Sequence, residues 1–191
     1  GSRRRTILAT GLTYATSTEC SIPMSEIGLF FSSSTGNTEE AADAIKAALG
    51  GDVDVFSVAD TPVDKMLGYD NIIIGIPTWE IGELEADWDA VVDDYAALDL
   101  SGKKIALYGL GDQVNYPDTY QDGIGILGKK GRDAGATLVG FTSTDGHDFD
   151  DSFGLEDGQF MGLCLDNDNQ AEQTDGRIAA WVEQLKGEFG L

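Results

Sequence analysis

The sequence predicts an α/β fold: a doubly wound, five-stranded parallel sheet with helices on both faces. Three observations carry this. Strand-like and helix-like segments alternate from residue 26 onward. The strand-like runs at 27–31, 71–76 and 104–108 are continuously apolar, as strands buried on both faces are. The helical segments carry their apolar residues on one side only, as layers that cover a sheet do.

Ile27–Phe31 is the first strand. Residues 39–49 have helical periodicity, with Ala42, Ile45, Ala48 and Leu49 on one face, and Gly50-Gly51 stops the helix. Residues 53–58 form a second strand, and 61–67 a short helix opened by Pro62. The third strand, 71–76, centres on Ile72-Ile73-Ile74. Residues 85–98 make an amphipathic helix whose face is Trp88, Val91, Val92, Tyr95 and Leu98. The fourth strand is 104–108, followed by a helix at 120–134 loosened by several glycines. A fifth strand begins at 137–141 and resumes at 160–165. The polar, Gly/Asp-rich stretch 142–159 between its halves reads as an inserted loop, not a domain boundary. The closing helix places Ile178, Trp181, Val182 and Leu185 on one face.

Residues 25–191 read as one domain, a size that supports a single core. Residues 1–24 read apart from it. Gly1-Ser2 looks like a tag scar; Arg3-Arg4-Arg5 and the Ser/Thr-rich stretch after it are similar to an organellar transit peptide or its remnant. The alternative is that Met24 begins the native protein, and on either view disorder is expected there. Cys20 and Cys164 are too far apart and too few to suggest a disulfide framework or a metal site. Asp166 and Asp168 resemble half of a calcium loop, but its glycine and distal glutamate are missing, so no metal is expected.

Charge narrows the partners. With 34 acidic and 12 basic residues the formal net charge is -22. That disfavours nucleic acid and anionic membrane surfaces and favours a basic protein partner, although acidity that serves only solubility is a competing reading. No apolar run reaches the roughly 18 residues of a membrane span, so no membrane insertion is expected. His147, the only histidine, falls in the inserted loop and reads as a surface residue.

Ligands of a doubly wound sheet sit beyond the carboxyl ends of its strands. Right after the first strand comes Ser33-Ser34-Thr35-Gly36-Asn37-Thr38, and a helix follows. Backbone N–H groups at a helix start attract an anion, and the hydroxyls of Ser33, Ser34, Thr35 and Thr38 add donors. Gly36 permits a tight turn. The segment has no Lys or Arg, so it suits one terminal phosphate better than a magnesium-bound triphosphate. Taken alone, it reads equally well as a Ser/Thr-rich turn that caps the helix. The glycine pattern at 123–128 matches a dinucleotide fingerprint literally, but it follows a loop and sits inside a helical pattern, which removes it. Two further loops follow the third and fourth strands. Pro77-Thr78-Trp79-Glu80-Ile81-Gly82-Glu83 and Gly109-Leu110-Gly111-Asp112-Gln113-Val114-Asn115-Tyr116 each set one large aromatic among glycines and polar residues. A flat, electron-poor ring fits between two such aromatics.

These loops, with Asp122 to Leu127, Ser143-Thr144-Asp145-Gly146, Gly162 to Gln170 and the ending from Trp181, resemble the long-chain flavodoxins of cyanobacteria and algae over nearly all of residues 25–191. The resemblance implies a flavodoxin-like sheet of order 2-1-3-4-5, with the stretch at 142–159 as the insertion that splits the fifth strand. It implies flavin mononucleotide (FMN) as cofactor, its phosphate held by Ser33, Ser34, Thr35, Gly36, Asn37 and Thr38. The ring would be flanked by the loop of Pro77, Thr78, Trp79, Glu80, Ile81 and Gly82, with Trp79 on one face and Tyr116 on the other. Leu110, Gly111, Asp112 and Gln121 would line the second loop, and Asp168 would reach toward the ribityl chain. Glu80 departs from the asparagine common in the family, and with Glu83, Asp112 and Asp168 it is expected to lower the flavin potential. The implied function is a low-potential one-electron carrier, not an enzyme. It would stand in for ferredoxin between photosystem I and ferredoxin–NADP reductase, as a monomer in the chloroplast stroma or a cyanobacterial cytoplasm. An FMN-dependent NAD(P)H:quinone oxidoreductase is the alternative; rings over both flavin faces argue against its substrate pocket. A receiver-type signalling module would need an acidic cluster after the first strand, which Ser32 to Thr38 do not supply.

Overall fold

The structure is a computed structural model that describes residues 26–79 and 81–191. The expectations for residues 1–24 and for Glu80 lie outside the described residues.

In chain order the elements are β1 (Ile27–Phe31), α1 (Asn37–Ala48), β2 (Asp54–Ser57), β3 (Asn71–Trp79), β4 (Glu83–Leu84), α2 (Ala86–Ala96) and β5 (Lys104–Leu110). They continue with α3 (Asp122–Asp133), β6 (Thr137–Val139), β7 (Thr142–Ser143), β8 (Leu155–Glu156), β9 (Gln159–Phe160), β10 (Leu163–Leu165) and α4 (Thr174–Phe189). The main sheet runs β2-β1-β3-β5, and both β6 and β10 pair with β5, all in parallel. β6 lies beside Lys104, Ile105 and Ala106, while β10 lies beside Tyr108, Gly109 and Leu110. Two pieces thus share one strand position, which is the order 2-1-3-4-5 with a split fifth strand.

The β3 side chains alternate between two cores, as strand geometry requires. Ile72, Ile74 and Ile76 join Phe30, Trp88, Tyr95, Ile124 and Leu127 on the side of α2 and α3. Ile73 joins Leu29, Ala42, Ile45, Trp181 and Leu185 on the side of α1 and α4. Burying each large aliphatic side chain contributes about 1.5–3 kcal/mol.

Five expectations change. β3 runs on to Trp79, past the expected end at Ile76, because Thr78 and Trp79 pair antiparallel with Leu84 and Glu83 of β4. That pairing is a short hairpin of two residue pairs, and the run of apolar residues gives no hint of it. The short helix after β2 is a 3₁₀ helix, Val63–Gly68, with Pro62 as its N-cap. The insertion is not a bare loop: β7, β9 and β8 form a small antiparallel sheet. Phe160, expected in the fifth strand, pairs instead with Thr142 and Leu155. Strands of two residues are too short for alternation to reveal. Finally, the α3 glycines are packing sites more than weak points. A Cβ at Gly125 would run into the Phe153 carbonyl, so its absence lets the insertion backbone lie on the helix.

Candidate functional site

The carboxyl ends of β1, β3 and β5 open onto one cleft of about 350 Å³. It is lined by Thr35, Asn37 and Thr38 after β1, by Pro77, Thr78 and Trp79 at the end of β3, and by Leu110, Gly111, Asp112 and Tyr116 after β5. Asn167 and Asp168, after β10, complete it. No Lys or Arg is among these residues.

The geometry of the β1–α1 loop bears on the capping reading of its sequence. The N-cap of α1 is Gly36, at φ 92°, and no side chain caps the helix. A left-handed φ of this kind favours glycine. The hydroxyls are therefore not occupied in capping. Ser33 Oγ accepts the Gly36 N–H at 3.0 Å and keeps its own proton to donate. Thr38 is buried at the helix start, and its carbonyl accepts the Tyr108 hydroxyl at 2.9 Å. The first-turn N–H groups of α1 have no partner within the helix and face the cleft end of the sheet. Ser34 is different: its hydroxyl donates to Glu85 Oε1 at 2.7 Å.

The aromatic loops are held from beneath. Thr78 Oγ1 accepts the Gly123 N–H at 3.1 Å, which ties the end of β3 to α3. Trp79 and Tyr116 stay 41% and 45% exposed, and neither meets another aromatic ring among the described residues. Two large rings left open on the lining of one cleft are half of a stacking arrangement. Ile81 is 81% exposed, and Gly82 turns the hairpin into β4; neither lines the cleft. Gln121, expected along the second loop, is fully buried below it and donates from Nε2 to the Leu165 carbonyl at 3.0 Å.

Acidic groups ring the far side. Asp112 accepts from the backbone of Val114 and Asn115 and from the side chains of Asn115 and Asn169. Burial works against its charge, yet these hydrogen bonds hold its carboxyl below the usual range. Asp168 is pushed up, first by burial and then by the charges of Asp112 and Asp166. Asn167 was not among the sequence expectations. Its Oδ1 accepts the Thr174 hydroxyl at 2.6 Å, so the start of α4 positions it. Its only signal in the sequence is its place beside Asp168.

The residues fit a phosphate joined to a flat ring: neutral donors at one end, unpaired aromatics at the other. Comparison with known proteins agrees. The Flavodoxin family profile matches residues 29–181. The chain belongs to the flavodoxin family. It is 51% identical to a flavodoxin of Picosynechococcus sp. over 170 residues, 88% of this chain and 100% of that one. It is 47% identical to a flavodoxin of Nostoc sp. over 167 residues, 87% of this chain and 98% of the relative. A crystal structure of Fusobacterium nucleatum flavodoxin bound to flavin mononucleotide superposes with a TM-score of 0.82 at 34% identity, covering 85% of this chain and 97% of that one. As a flavodoxin, this chain is an electron-transfer protein with FMN as cofactor, not an enzyme. That decides against the quinone oxidoreductase reading.

Proposed function

We propose that FMN occupies this cleft with its phosphate on Ser33 to Thr38 and its ring between Trp79 and Tyr116, and that the loaded protein passes single electrons between basic redox proteins. The observation that carries this reading is the loop before α1: no side chain of it caps the helix, and its Thr35, Asn37 and Thr38 line one cleft with Trp79 and Tyr116. When bound, FMN supplies the one-electron chemistry. The chain's residues do the rest. The α1 N-terminus and loop amides balance the phosphate charge. Trp79 and Tyr116 cover the ring and keep water from it. Asp112 and Asp168 keep negative charge nearby, which opposes the negative charge that reduction adds and lowers the potential.

Photosystem I as donor and ferredoxin–NADP reductase as acceptor fit the net charge of -22, because basic docking faces would be drawn to it. The cyanobacterial relatives support that assignment. The composition of residues 3–23 supports the chloroplast stroma; cytoplasm of a cyanobacterium is the alternative. The test is a titration of the apoprotein with FMN, followed by reduction monitored by absorbance and by electron transfer to ferredoxin–NADP reductase. Tight binding with two separated one-electron steps is expected. Absence of FMN binding at micromolar concentration would overturn the proposal.

A further inference from the structure

Glu85 stands immediately after β4 and is 4% exposed, so its carboxylate is almost wholly inside the protein. Oε2 accepts the Asp87 N–H at 3.1 Å and caps α2. Oε1 accepts the Ser34 hydroxyl at 2.7 Å, across 51 positions of sequence. A buried carboxylate needs such donors, because leaving one unmet costs more than the bond contributes. One group therefore joins three pieces: the phosphate loop, the helix start of α2, and, through β4, the strand end that carries Trp79.

This arrangement has a chemical consequence. The Ser34 proton is directed at Glu85, so it is not directed at a ligand. Toward a phosphate, Ser34 offers its backbone N–H alone, while Ser33 retains a free hydroxyl proton. We infer that Glu85 is a positioning residue for cofactor binding, which orients the phosphate loop through Ser34 and makes selection for the phosphorylated flavin depend on the Glu85–Ser34 bond. The inference rests on the proposed FMN site. Its charge sits at the N-terminus of α2, where the helix dipole favours it, so the carboxylate serves as a fixed anchor and not as a ligand for phosphate.

The test compares FMN with riboflavin, which has the ring but no phosphate, in fluorescence titrations of apoprotein. Ser34→Ala leaves the α2 cap untouched, and Glu85→Ala removes the anchor. Each should weaken FMN about tenfold, the scale of one hydrogen bond to a charged group. Riboflavin affinity should stay within about twofold, since the ring contacts are elsewhere. The double variant should be no weaker than Glu85→Ala alone, because both changes delete one contact. Glu85→Gln, which keeps an acceptor for Ser34, should recover most of the FMN affinity. Equal losses for both flavins, or losses that multiply in the double variant, would overturn the inference and leave Glu85 as a helix cap only. If the unmodified apoprotein binds no FMN, it is the proposed site that fails. If it binds FMN and the single variants match it, the inference about Glu85 fails alone.

Discussion

Asp112 shows how a single side chain sets chemistry. Its four donors favour its charge at the cleft, and among the described residues no Lys or Arg lines that cleft. Asp112→Asn should raise the potential of the second one-electron step on the order of tens of millivolts, given Coulomb energies at intermediate dielectric. Redox titration of the holoprotein reads this directly; an unchanged or lower potential counts against the electrostatic account. His147 corrects an expectation. It is not a free surface residue: Nδ1 shares a 2.9 Å hydrogen bond with the Tyr120 hydroxyl, and the ring stands edge-on to Phe160. Burial first, and Arg177 second, lower its pKa to about 4, with Asp166 opposing. The unfolded chain titrates near 6.5, so between the two values only the unfolded state holds the proton. This contribution to stability is complete above pH 6.5 and is lost as pH falls toward 4. Urea denaturation at pH 7 and pH 5 should therefore show a smaller difference for His147→Gln than for the unmodified protein.

At the level of elements, the helix α3 and the insertion are fitted to each other. Gly125 admits the Phe153 backbone, and Arg132 makes a two-pronged ion pair with Glu156. Gly125→Ala forces a shift of main chain, and overpacking of this kind costs about 1–3 kcal/mol. Its Tm should drop by several degrees, whereas Arg132→Ala, at an exposed pair, should cost under about 1 kcal/mol. Thermal melts of the two variants distinguish these. The same contrast explains what the sequence made visible. Long periodic runs such as 71–76 and 85–98 announce their elements because one face repeats. β4, β7, β8 and β9 exist only through pairing, in short hairpins for β4 and β8 and across the insertion for β7, and two residues carry no period. In the cleft, Thr35, Thr38, Trp79, Asp112 and Tyr116 are legible because each lies at or just after the carboxyl end of a strand. Gln121 has a left-handed backbone and its side chain lies under the loop, on the Leu165 carbonyl, and Asn167 joins the cleft through a hydrogen bond to Thr174 that no pattern in the sequence announces.

For the molecule as a whole, a net charge of -22 has two effects that salt separates. Self-repulsion destabilises the compact state, so Tm of the apoprotein should rise as NaCl goes from about 0.01 to 0.2 M, where the screening length shortens from about 30 to under 10 Å. Over that same range electron transfer to a basic partner should slow, because steering is screened. Stopped-flow rates and melts on one sample test both; a Tm indifferent to salt would mean that repulsion is already compensated. The split strand position has a consequence of another kind. Open sheet edges are templates on which a second chain can zip. Here one edge of the main sheet is β2, four residues long, and the other is filled by two three-residue pieces, β6 and β10, with the insertion rising between them. One edge is short and the other is broken, so neither presents a long ladder. The excursion that interrupts the fifth strand thereby guards the sheet against stacking edge to edge into aggregates.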